Sequence, residues 1–161
     1  MEDPKELFHF VGKKEDLIKA KRTFKTLDGR DVLIVYHQEC FYALDYYCYH
    51  AAGKLENGDI EEIGGHLCII CPNHKYKISL AKGEGICKGV DRTKVPPMPV
   101  TFSKGVKQRV HTVKEINGDV YVELSKVPGW IESDYFQGEE GKENRAKAEA
   151  KASPNKGKDS S

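Results

Sequence analysis

Apolar and polar residues alternate over 120–124, where Val120, Val122 and Leu124 interleave with Tyr121 and Glu123. That period of two marks a strand buried on one face. Asn117-Gly118 stands just before it, with 106–116 on the other side, so the two segments read as a hairpin. The same arrangement occurs earlier. The β-branched run 31–36 follows Asp28-Gly29, 22–26 is its natural partner, and 40–44 is the next strand. Leu67-Cys68-Ile69-Ile70 and 76–80 are short apolar segments in a glycine-rich middle region, and only 14–20 suggests a helix. No internal repeat is visible. The pattern predicts an all-β fold of small antiparallel sheets joined by turns.

Composition changes sharply near residue 137. From Gln137 to Ser161 there is no Val, Ile, Leu, Met or aromatic residue, so the segment cannot bury enough apolar surface to offset its ordering entropy. One domain over 1–136 and a disordered charged tail over 137–161 are expected. The opening residues are charged and lack the apolar core of a signal peptide. No stretch approaches the roughly 18 apolar residues of a membrane span. A soluble, cytoplasmic protein without a membrane partner follows. Lys and Arg total 26 against 25 Asp and Glu, with no concentrated basic patch of the kind nucleic-acid binders carry. A monomer is expected.

The five cysteines (40, 48, 68, 71 and 87) are an odd number, which argues against a disulfide framework and turns attention to metal binding. Cys48-Tyr49-His50 and Cys71-Pro72-Asn73-His74 each set a thiolate beside an imidazole, at or next to a loop tip. Two such pairs can hold a dinuclear iron–sulfur cluster, one iron on cysteines and the other on histidines. The same four side chains could also satisfy a tetrahedral zinc site. The single residue between Cys48 and His50 is tighter than zinc-finger cysteine spacing, and this favours the cluster. Pro72 and the surrounding glycines supply the sharp turns that either site needs.

These residues resemble the Rieske [2Fe–2S] signature, Cys-x-His followed by Cys-x-x-His, and the likeness extends over roughly 8–125, including the turn Leu80-Ala81-Lys82-Gly83-Glu84-Gly85. It is similar overall to the small soluble Rieske-type ferredoxins of animals. The resemblance implies a Rieske-like fold whose cluster-binding subdomain, about 45–89, presents two loops. It implies one [2Fe–2S] cluster per chain, with Cys48 and Cys71 on one iron and His50 and His74 on the other. It implies a one-electron carrier between a reductase and an oxygenase or other acceptor, and no substrate chemistry of its own. The membrane-anchored respiratory members carry an extra cysteine in each loop, whereas Ala51-Ala52-Gly53 and Asn73 stand here. They also place Ser and Tyr where this chain has Tyr76 and Ile78, so a potential low in the Rieske range is implied. A redox-sensing or interaction module using the same ligands remains a second reading.

The other candidates have structural readings. Cys68 is expected as a buried core thiol, and Cys40 and Cys87 as partly buried thiols. His66 reads as a solvated turn residue, while His37 and His111 read as ordinary hydrogen-bonding side chains. Tyr46, Tyr47 and Tyr49 read as packing that shields the first loop. Lys75 and Lys77 flank the second loop, either for solubility or for docking an acidic reductase.

Overall fold

The computed structural model describes residues 8–50, 52–73 and 75–143. Two antiparallel sheets make up the fold. The first holds six strands in the order β1 (His9–Lys13), β11 (Asp119–Glu123), β10 (Val110–Ile116), β4 (Cys40–Asp45), β3 (Arg30–His37) and β2 (Arg22–Leu27). The second holds β5 (Ile60–Ile63), β6 (His66–Ile70), β7 (Lys77–Ser79), β8 (Glu84–Asp91) and β9 (Met98–Val106), in that order. The helix α1 (Lys14–Ala20) packs its Leu17 beneath the first sheet.

The turn residues set the hairpins. Asp28 and Gly29 take φ of 52° and 81°, and Asn117 and Gly118 take 50° and 85°. Both are left-handed pairs whose twist matches the flanking strands. The β3–β4 turn achieves the same shape with Gln38 and Glu39 at 47° and 68°, residue types that give no turn signal.

The apolar run of β3 is continuous because both faces of the strand are covered. Val32 and Ile34 join Val11, Leu17 and Val122 in one cluster. Leu33 and Val35 point the other way, into a larger cluster that spans both sheets and includes Leu44, Leu55, Ile69, Ile78 and Leu80. Cys48 and Cys71 belong to that second cluster. The expected loops therefore rest on the main core.

Three details differ from the sequence reading. The segment 106–116 is not one strand: Val106 ends β9, and β10 begins only at Val110. The polar residues Lys107, Gln108 and Arg109 interrupt it, and Gln108 and Arg109 turn inward. Strands β1, β5 and β8 have no clear signature in the apolar pattern; β9 does alternate, at Met98, Val100 and Phe102, but only its last residue, Val106, falls in a segment read as a strand. Ordered chain also runs past residue 136. Gln137 hydrogen-bonds the Asp31 backbone in both directions, at 2.9 and 2.8 Å, and 139–143 is helical. The remainder of the expected tail lies outside the described residues.

Candidate metal centre

The two Cys/His loops close in the same way. In the first, the Cys48 N–H donates to the Gly53 carbonyl at 2.8 Å, and the Cys48 carbonyl accepts from the Ala52 N–H at 3.0 Å. In the second, the Cys71 N–H donates to the Tyr76 carbonyl at 2.8 Å, and the Cys71 carbonyl accepts from the Lys75 N–H at 3.0 Å. Ala52 and Lys75, at equivalent places, both take positive φ, 58° and 60°. Each cysteine thus sits at the root of a tight loop with its own backbone groups satisfied within that loop. The two sequences share little beyond the cysteine and a following histidine, yet they fold alike.

The loops touch. A Cβ at Gly53 would lie 2.6 Å from Cys71 Sγ and 3.1 Å from Asn73 Nδ2, so only glycine allows the first loop to lie against the second cysteine. Cys48 and Cys71 are fully buried, while His50 is exposed. The His50 ring lies 4.1 Å from the Tyr76 ring, centroid to centroid, and Tyr49 meets Tyr76 edge-on at 5.7 Å. The predicted fourth donor, His74, lies outside the described residues. Among the described residues no three Cys, His, Asp or Glu side chains gather closely enough for a single metal ion. The donor set nevertheless fits a mixed cluster in two respects: soft thiols from both loops sit inside, and an imidazole sits at the rim.

A polar support for the first loop has no counterpart in the sequence reading. Gln108 is fully buried. Its amide donates to the carbonyls of Asp45 and Tyr47 at 2.9 and 2.7 Å and accepts from the Tyr49 N–H at 3.0 Å. One carboxamide thereby fixes the backbone on both sides of Cys48. Its main-chain N–H bonds the Gly83 carbonyl at 3.0 Å, tying that loop to the turn before β8.

Beneath it lies an ionic network. Asp45, at the end of β4, is fully buried and accepts from Arg30 at 2.7 and 2.6 Å, from Ser133 at 2.5 Å and from His111 at 2.9 Å. Burial would push its carboxyl up, but the hydrogen bonds from Arg30 and His111 hold it below the usual carboxylate range. Ser125 N–H donates to His111 Nδ1 at 2.9 Å, so the hydrogen is on Nε2 and points at Asp45. Asp134 receives Arg109 through two bonds of 2.8 Å and also pairs with Arg30. Burial opposes ionisation there, but the bonds from Arg109, the Ile131 N–H and Arg30 bring the carboxyl down to about 2. The only hint in the sequence is that three polar residues, 107–109, follow one another inside the segment read as a strand.

The remaining candidates behave mostly as structural groups. Cys68 is buried, donates to the His66 carbonyl at 3.5 Å, and burial pushes its thiol up to about 11. No cysteine is in a disulfide, and Cys87 is partly buried. Cys40 is exposed rather than partly buried, since it flanks the β3–β4 turn. His66 opens β6 rather than lying in a turn. Tyr46 and Tyr47 are buried, and the Tyr46 hydroxyl bonds Glu56.

A profile of the soluble Rieske-type ferredoxins matches residues 9–127. The chain belongs to that family. A human Rieske domain-containing protein is 44% identical over 126 residues, 78% of this chain and 80% of the relative. Among solved structures, the ferredoxin of carbazole 1,9a-dioxygenase from Nocardioides aromaticivorans IC177 is similar with a TM-score of 0.54 at 19% identity. The match covers 73% of this chain and 98% of that one. A chain from the complex of reduced oxygenase and oxidised ferredoxin in carbazole 1,9a-dioxygenase gives a TM-score of 0.55 at 21% identity, over 76% and 98%. At these identities the structures speak to the fold, and they agree with the two-sheet architecture. Membership of the ferredoxin family makes this Rieske-type chain an electron carrier.

Proposed function

We propose that the chain holds one [2Fe–2S] cluster, with Cys48 and Cys71 on one iron and His50 and His74 on the other. It would carry single electrons from a reductase to an oxygenase or another acceptor. The observation that carries this reading is the pair of identically closed loops, each rooted on a buried cysteine and in contact through Gly53 and Cys71 Sγ. When bound, such a group supplies reversible one-electron redox chemistry.

The chain's own residues do the rest. The main core and the buried thiols keep water from the cysteine side, while His50 reaches solvent and offers the short exit path. Tyr76 holds the His50 ring in place from one side. Ile78 is fully buried and apolar, so it brings no hydroxyl toward a sulfur, and a potential near the low end of the Rieske range follows. Absorption spectra of His50→Ala and His74→Ala provide the test. Both are expected to lose the visible chromophore of the wild type, and retention of the full spectrum in either would remove that residue from the ligand set.

A further inference from the structure

Strand β9 is an edge of the second sheet, and it carries exposed apolar side chains. Met98, Val100 and Phe102 alternate along one side, 53%, 37% and 52% exposed. Phe102 is opposite Cys87 in the register, and a Cβ at neighbouring Gly89 would meet the Phe102 ring at 3.1 Å, so the ring lies flat over β8. Lys104 is next on that side. Its Nζ stands 5.0 Å from the Tyr76 ring centre and 5.7 Å from that of Tyr49. The apolar stripe therefore leads, through Lys104, to the aromatic rim around His50.

Near His50 the charge on this face is basic. Lys75 follows the second loop; Lys77, opposite Ile86, is on the other face of the sheet, although its Nζ reaches the Lys75 carbonyl at 3.3 Å. Among the described residues neither these two lysines nor Lys104 takes part in an ion pair. The nearby Lys107 is different, being matched by Glu132 at 2.6 Å. Acidic residues of this sheet lie away from that end: Asp91 is opposite Met98 at the far end of β9, Glu61 and Glu62 line a depression with Lys88 and Val100, and Glu84 lines another with Tyr42 and His66.

We propose that Phe102 and its β9 neighbours, together with Lys75 and Lys104, form one docking face for an acidic redox-partner protein. This rests on the electron-carrier reading above. An exposed aromatic and aliphatic centre with a basic rim has the composition of a protein interface. The rim would steer an acidic partner to the surface where His50 emerges, raising its association rate. Two lysines fall short of the clusters of about 4–8 that mark anionic-lipid sites, which favours a protein over a membrane.

The test uses the iron-loaded full chain and, as probe, an acidic plant-type ferredoxin. Stopped-flow measures electron transfer from the reduced probe, and interferometry measures affinity for the oxidised probe. The wild type is expected to bind, with a rate that falls as salt rises. Lys75→Glu combined with Lys104→Glu should slow transfer at low salt by about tenfold and weaken affinity to match. Phe102→Ser should weaken affinity without changing the salt slope. Lys19→Glu, the same charge change on α1, should leave both at wild-type values. Loaded variants with wild-type rates and affinities, or binding to phosphatidylserine vesicles but not to the acidic probe, would overturn the docking face alone. A wild type that acquires no cluster would overturn the electron-carrier reading and this inference with it.

Discussion

Gly53 is the tightest single constraint in the candidate centre. Its backbone needs no unusual φ, so replacing it costs nothing conformational. The cost is the 2.6 Å approach that a new Cβ would make to Cys71 Sγ, well inside van der Waals contact. Gly53→Ala is therefore expected to lower iron content per chain, read by elemental analysis, because the two loops must part to admit the methyl. Gly65 provides the contrast: its φ is 84°, but nothing lies within 4 Å of where a Cβ would stand. Gly65→Ala should cost about 1 kcal/mol in strain and leave iron content unchanged. Equal iron contents in the two variants would mean that the loop contact does not matter for loading. Neither effect is legible in the sequence. Gly53 reads there as one of many loop glycines, and only packing separates a glycine that faces a sulfur from one that faces solvent.

At the scale of elements, the first loop is held by the segment between β9 and β10 and by the stretch 131–137. Gln108→Ala would strip partners from two carbonyls and one N–H around Cys48. Leaving such groups buried and unpaired costs about 1–3 kcal/mol each, partly offset where water enters. A loss of about 2–4 kcal/mol in urea denaturation is expected, with faster amide exchange at Tyr49. A loss below about 0.5 kcal/mol would show that Gln108 is not holding the loop. The Asp134 clamp gives a pH signature. Its carboxyl is depressed from an ordinary value of 3.8 to about 2, so its contribution is present above pH 3.8 and lost as pH falls toward 2. With solvent screening allowed for, that is on the order of 1 kcal/mol. Asp134→Asn should thus be less stable than wild type near neutrality, with the gap in thermal melts closing between about pH 4 and about pH 2. A gap that stays constant across that window would rule out the carboxylate as its source. The hairpins at Asp28-Gly29 and Asn117-Gly118, and the helix 14–20, are legible in the sequence because turn chemistry and periodicity are local. The Gln108 and Asp134 supports are not, since each joins segments far apart along the chain and nothing in their spacing announces a partner.

For the molecule as a whole, the larger core cluster joins both sheets and contains both cysteines. The four candidate donors are readable from the sequence because the thiol and imidazole pairs are short-range patterns. The folding of two dissimilar loops into one backbone arrangement is not, since it depends on hydrogen bonds rather than on side-chain identity. A centre rooted in that core couples iron binding to folding, so iron removal by a chelator should lower the melting temperature and loosen 46–54 and 71–76 together in hydrogen exchange. The central claim is a mixed Cys/His two-iron cluster. It is tested most directly by iron, zinc and acid-labile sulfide analysis of the purified full chain, with a low-temperature EPR spectrum of the same reduced sample. About two iron and two sulfide per chain, with an EPR signal from the reduced cluster, are predicted. One zinc per chain in a colourless, EPR-silent protein would contradict the account.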